Sequence, residues 1–101
     1  MALGKLGHFK PNEVAEGYCK GVMEGQLKVS GLSWRQAKAT IEAAKGLTNL
    51  EVGAITNATQ QSIKCSMTEV YRKLGVKNRN SLIVYMWSNF PEELNYLVNG
   101  K

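Results

Sequence analysis

The chain contains no aspartate, and His8 is its only histidine. That leaves little for catalysis. No Ser/His/Asp set, no pair of histidine ligands and no phosphate-cradling glycine loop can be assembled from it. Neither an enzyme nor a cofactor is therefore predicted. Cysteine is scarce as well: Cys19 and Cys65 stand far apart with no C-x-x-C spacing, which speaks against a disulfide scaffold and against a zinc site. No run of eighteen apolar residues occurs, so no membrane span is expected. The N-terminus has no charged region followed by an apolar stretch and a cleavage site, so no secretory signal is expected either. A reduced cytoplasmic setting follows from these absences.

What is present is a basic chain of one-domain size. Its 101 residues carry 13 lysines and arginines against 8 acidic residues, a formal net charge of +5. A surplus of this sign favours an anionic partner such as nucleic acid. The surplus is concentrated in one place. Residues 60–80 hold Lys64, Arg72, Lys73, Lys77 and Arg79 with Glu69 as their sole acid. The rest of the chain is close to neutral. A local basic patch is the footprint expected of phosphate contact.

The hydrophobic periodicity is helical throughout, and no stretch reads as a strand. Residues 1–10 carry two glycines and no periodicity, and read as flexible, with His8 a tail residue. Pro11 suits a first helical position, and Val14, Tyr18 and Val22 repeat one turn apart. Gly17, Gly21 and Gly25 weaken the same helix by about 1 kcal/mol each relative to alanine. They predict either a close helix neighbour or a weak surface helix that fades at Gly25. Ser33 begins a second helix through the capping box S-W-R-Q, with Ala37, Ile41 and Ala44 on one face and Gly46 as its stop. Thr48 begins a third through T-N-L-E, with Leu50, Val52, Ala54 and Ile55 as its apolar residues and Asn57 at the turn. Thr59 caps a fourth helix that ends at Gly75. Asn80 or Ser81 is expected to cap a fifth, and Pro91 to stop it and start a short tail helix with Leu94, Leu97 and Val98. Short helices joined by tight turns predict an all-α fold with a helix-turn-helix.

The fourth helix is the informative one. Ile63, Met67, Val70 and Leu74 mark its buried face by their spacing of four, three and four. The opposite face then presents Gln61, Lys64, Cys65, Thr68 and Arg72. Lysine and arginine donate to guanine, glutamine pairs with adenine, and threonine offers a hydroxyl or a methyl, so such a face suits a DNA major groove.

The stretch G-L-T-N-L-E-V-G-A-I-T-N-A-T-Q-Q-S-I-K-C-S-M-T-E-V-Y-R-K-L-G-V-K-N-R, from Gly46 to Arg79, resembles the LuxR/GerE family of transcription regulators. That family's pattern runs G-L-S-N-x-E-I-A, then I-S-x-x-T-V-K-x-H, then Y-R-K-L-G-V-x-N-R. The match needs no gap. It extends back to Leu32-Ser33-x-Arg35 and forward through the fifth helix, and Tyr71–Arg79 is its most specific part. The resemblance implies a LuxR-type four-helix DNA-binding domain at 31–90. A weak N-terminal helix lies at 1–30 and a tail helix at 91–101. With so little chain in front and no aspartate to accept a phosphoryl group, no receiver or ligand-binding domain is expected.

The resemblance implies Lys64, Cys65 and Thr68 as the base-facing set, beside Gln61. It implies Thr48, Asn49, Ser62, Lys73 and Arg79 as backbone contacts, with Arg72 reaching phosphate from the exposed face. Helix termini add N–H donors for phosphate. The sequence departs from the family in four places. Thr56 stands where a buried leucine is usual, and Ile55 is expected to replace it in part. Gly53 replaces an alanine and softens its helix. Ser66 stands where histidine is common, and Cys65 where asparagine is. Cys65 reads as an inert small residue near DNA rather than a redox thiol, and Trp34 and Trp87 as core or dimer aromatics.

The fifth helix is apolar around more than one face, and Leu82, Ile83, Tyr85, Met86 and Trp87 exceed what one small core absorbs. The resemblance implies a homodimer through this helix, with paired recognition helices on an inverted repeat of double-stranded DNA. A transcription regulator is thus the leading expectation. A protein-interaction module that binds RNA polymerase or another regulator is the alternative.

Overall fold

The computed structural model describes residues 11–100, with side chains described from Val14 onward. The segment 1–10, expected to be flexible, and His8 within it lie outside the described residues. Six helices follow one another: α1 (Pro11–Val29), α2 (Trp34–Ala44), α3 (Asn49–Thr56), α4 (Gln60–Leu74), α5 (Arg79–Asn89) and α6 (Pro91–Asn99). No strand occurs among the described residues, and the all-α expectation holds. None of the described helices is long and apolar enough to cross a membrane.

The helix starts are set locally, by side chains that satisfy orphan N–H groups. Ser33 Oγ accepts from Gln36 N–H at 3.2 Å while Gln36 Oε1 accepts from Ser33 N–H at 3.0 Å. Thr48 and Glu51 exchange the same two bonds at 3.2 and 2.9 Å. These bonds hold the Glu51 carboxyl below the usual glutamate range, the Thr48 N–H contributing most. Thr59 Oγ1 caps α4 at 3.0 Å through Ser62 N–H. Each cap stabilises its helix by about 1 kcal/mol. The cap of α5 differs from expectation. It is Asn78, whose Oδ1 accepts from Ser81 N–H at 2.9 Å, so Ser81 is the third helical residue rather than the cap.

α2 lies at the centre and packs against α1, α3, α4 and α5. Not one face but most of its circumference is buried, from Ala37 and Ala39 through Ile41, Ala43 and Ala44. Four alanines keep the helix thin, which lets four neighbours approach at once. The same core takes in Met23 and Leu27 of α1, Ile63, Met67 and Val70 of α4, Leu82 and Met86 of α5, and Leu94 of α6. Leu74, read as the end of the α4 stripe, is partly buried against this cluster.

Three expectations change here. α1 does not bury the Val14, Tyr18, Val22 stripe. It buries Cys19, Met23 and Leu27, an equally good one-turn repeat lying on the side that meets α2 and α6, and Tyr18 is 70% exposed. α1 also runs through Gly25 to Val29. Its glycines face open space, and no helix among the described residues packs against them. On α3 only Val52 and Gly53 are buried, whereas Leu50 and Ile55 are 64% and 49% exposed. Ile55 therefore does not replace the usual leucine. Thr56 itself is half-buried and its hydroxyl donates to Val52 O at 2.8 Å.

Gly53 does more than soften α3. The turn into α4 passes through Asn57 in the left-handed region, φ 57°, a conformation asparagine tolerates. The turn brings the Ala58 carbonyl oxygen to 2.5 Å from where a Gly53 Cβ would sit. Helix propensity alone would make Gly53→Ala stabilising by about 1 kcal/mol. The clash reverses the sign. Gly53→Ala is expected to destabilise the fold by about 1–3 kcal/mol, as overpacking does, read from the midpoint of a urea denaturation. A more stable variant would show that the α3–α4 turn relaxes freely.

Candidate nucleic-acid interface

Burial fixes the rotation of α4. With Ile63, Met67 and Val70 inside, the residues half a turn away must be outside. Gln61, Lys64, Cys65 and Thr68 are all exposed. None of the described residues occludes Lys64 or Thr68, as a role in groove reading requires. Thr68 Oγ1 donates to Lys64 O at 3.1 Å, one turn back. Gln61 Nε2 lies 3.8 Å from Cys65 Sγ, a weak contact that keeps both on one strip.

The sole acid of the patch is neutralised in place. Glu69 is paired with Arg72, which donates through Nε at 3.3 Å and through Nη2. The Arg72 hydrogen bonds hold the Glu69 carboxyl below the usual range and raise the guanidinium further. Both side chains remain well exposed, where such pairs add little stability. No ion pair is recorded for Lys64 or Lys77 among the described residues.

The residues expected to grip phosphate divide into two groups. Ser62 is exposed, and its hydroxyl is not engaged. Arg72 is exposed beside Glu69. The others are committed inside the molecule. Thr48 spends its hydroxyl and its N–H on the α3 capping box. Lys73 is half-buried and its Nζ donates to Gln36 Oε1 at 2.8 Å, joining α4 to the α2 capping box. Arg79 donates through Nη1 to Asn49 Oδ1 at 2.8 Å and through Nη2 to Leu47 O. Arg79 and Asn49 together clamp the start of α5 to the start of α3, so both side chains, expected at the DNA backbone, also carry a structural tie: a half-buried guanidinium beside an orphan carbonyl at a helix junction is satisfied there first.

The expected dimer set divides likewise. Leu82 and Met86 are fully buried in the monomer, which removes them from any interface. The core absorbs more of α5 than its composition suggests, because α2 lies along one side and α6 follows on another. Tyr85 and Trp87 are partly buried against the core, and Trp87 Nε1 donates to Ala44 O at 3.0 Å. Ile83 is half-buried, while Val84, which the periodicity did not single out, is 65% exposed. Trp34 was expected in the core or in a dimer contact. It is not in the core: it is 57% exposed, with the Arg35 guanidinium 5.5 Å from its ring centre. Arg35, which the sequence reading did not place in the candidate site, stands at its edge. It is distant from α4 in sequence, and only the packing of α2 on α4 brings it beside Ser62 and Ser66.

A short helix, a three-residue turn and a second helix with an exposed polar and basic face define a helix-turn-helix protein. Residues 30–86 match the GerE family, described as bacterial regulatory proteins of the luxR family. The chain belongs to the luxR family of bacterial regulatory proteins. This supports DNA-binding transcription regulation and is not an enzyme family. No curated protein and no solved structure matches the chain.

The clamp yields a test. Arg79→Ala is expected to destabilise the protein by about 1.5–3 kcal/mol, the usual effect of losing hydrogen bonds to a charged group, measured by urea denaturation without DNA. An arginine that only met phosphate would leave this stability unchanged.

Proposed function

We propose that this chain regulates transcription by placing α4 in the major groove of duplex DNA, bound as a homodimer on an inverted repeat. One observation carries the reading. The α4 face turned away from the core presents Gln61, Lys64, Cys65 and Thr68 to solvent, with Glu69, the patch's one acid, already paired. Lys64 has the reach and donors for guanine O6 and N7, Gln61 matches adenine, and Thr68 offers a hydroxyl or a methyl. Ser62, Arg72 and Lys77 supply backbone contacts around them.

The dimer contact is centred on Val84, the apolar residue of α5 that the monomer leaves open, with Ile83 beside it. A two-fold axis there pairs two recognition helices, and half-sites one helical turn apart match such a pair.

The exposed Leu50 and Ile55 of α3 favour a second reading, in which the module binds a protein such as RNA polymerase or another regulator. Salt separates the two. DNA binding weakens by orders of magnitude from low to moderate salt, because counterions are released on contact. An apolar protein contact does not.

Selection from a random duplex library is expected to return an inverted repeat. On that site Lys64→Ala and Thr68→Ala are expected to cost about 1–3 kcal/mol each and to relax one base position apiece. Unchanged affinity and preference in both variants would move the assignment to the protein partner. Val84→Glu is expected to leave the fold intact, to yield monomers in analytical ultracentrifugation and to lose preference for the repeat over a half-site. A Val84→Glu protein that remains dimeric would place the interface elsewhere.

A further inference from the structure

Beside the base-facing strip lies a small cleft that the helix-turn-helix alone does not form. Its walls come from three helices and the α3–α4 turn: Arg35 of α2, Thr56 and Ala58 around the turn, and Ser62 and Ser66 of α4. It encloses about 60 Å³. A water needs about 10–15 Å³ by this measure, so the cleft has room for a few oxygen atoms and none for a base or a sugar.

The chemistry of the lining is one-sided. Arg35 has no ion pair among the described residues; it rests over the ring of Trp34, 5.5 Å from the centre. A guanidinium held on an exposed aromatic face keeps all its N–H donors for another acceptor. Ser62 and Ser66 stand one turn apart on the flank of α4, and neither hydroxyl is engaged by any of the described residues. The Thr56 hydroxyl already donates to Val52 O, so that wall is closed. One full positive charge and two free hydroxyls converge on a space the size of an oxyanion's outer oxygens. No carboxylate lines it.

We infer that this cleft receives a phosphate of the DNA backbone, with Arg35 as the charged ligand and Ser62 and Ser66 as hydroxyl donors. The inference rests on the duplex-binding reading above and extends its footprint from α4 onto α2. On α4 the cleft lies roughly a third of a turn from the middle of the base-facing strip, on the flank where a helix in the major groove passes the neighbouring strand. The contact is blind to sequence. It sets how deeply and at what angle α4 enters the groove. Trp34 serves by holding the guanidinium in place.

Because a phosphate contact acts on any duplex, the test needs no operator. Anisotropy of a labelled mixed-sequence duplex, titrated with the full chain over a series of salt concentrations, gives log K against log[salt]. Arg35→Ala is expected to weaken binding about tenfold at low salt and to reduce the slope by about 0.9, the value of one phosphate contact. The double variant Ser62→Ala, Ser66→Ala is expected to weaken binding while keeping the slope, since it removes donors and no charge. Lys28→Ala removes the same charge from exposed α1 and is expected to change the slope little. Urea denaturation of each variant is expected to match the parent. Equal slope losses for Arg35→Ala and Lys28→Ala would reduce the effect to net charge and overturn the cleft. A parent-like slope for Arg35→Ala on a duplex that the parent binds overturns the cleft alone. A parent chain that binds no duplex overturns the DNA reading and the cleft together. Saturable shifts of the Ser62 and Ser66 amide signals with inorganic phosphate alone, beside an unchanged Arg35→Ala slope, would assign the cleft to the free anion instead.

Discussion

Everything in this fold depends on how thin α2 is. Four helices close on it, and they can do so because Ala37, Ala39, Ala43 and Ala44 leave only methyl groups between the backbones. A larger residue at any of these positions would push a neighbour outward, and packed cores resist even one added methylene. α2 also buries Thr40 and Glu42. The Thr40 hydroxyl bonds back to Gln36 O at 2.8 Å, and Glu42 meets Lys45 at 2.9 Å. A helix buried this fully sets the position of its neighbours. α4 turns its exposed strip outward because α2 has taken the opposite one.

The charge of the 60–80 patch is not all available to a partner. Lys73 and Arg79 serve as ties, one from α4 to the α2 capping box and one from α5 to the α3 junction. Both ties end at helix starts, where unsatisfied backbone or capping groups collect. The positive surface is therefore smaller than the sequence count suggests, and Arg35 offsets part of the loss from the other side. The proposed interface spans α2 and α4, with the α3–α4 turn between them.

Much of this was legible in the sequence, and the reason is local. Ser33, Thr48 and Thr59 announce helix starts through their own side chains, and Gly75 stops α4 in the left-handed conformation that suits it. The stripe Ile63, Met67, Val70 fixed the exposed face of α4 before any tertiary information. What was not legible depends on partners distant in the chain. Two stripes of α1 repeat equally well, and only contact with α2 and α6 selects Cys19, Met23 and Leu27 over Tyr18. The apolar excess of α5 is absorbed by neighbours whose positions no periodicity reveals. Arg79 looks like any basic residue until the Leu47 carbonyl is found beside it. Gly53 reads as a weak helix residue until the chain turns back and sets Ala58 against it.

α1 and α6 pack on each other, so segments near opposite ends of the described chain meet. Closing so large a loop costs more entropy than any contact between successive helices. Such long-range pairings are the slow ones to form. α3 and α4 pack on each other and on α2, through contacts that are closer in sequence. The helix-turn-helix is therefore expected to assemble before the α1–α6 seam closes over Met23, Leu27 and Leu94.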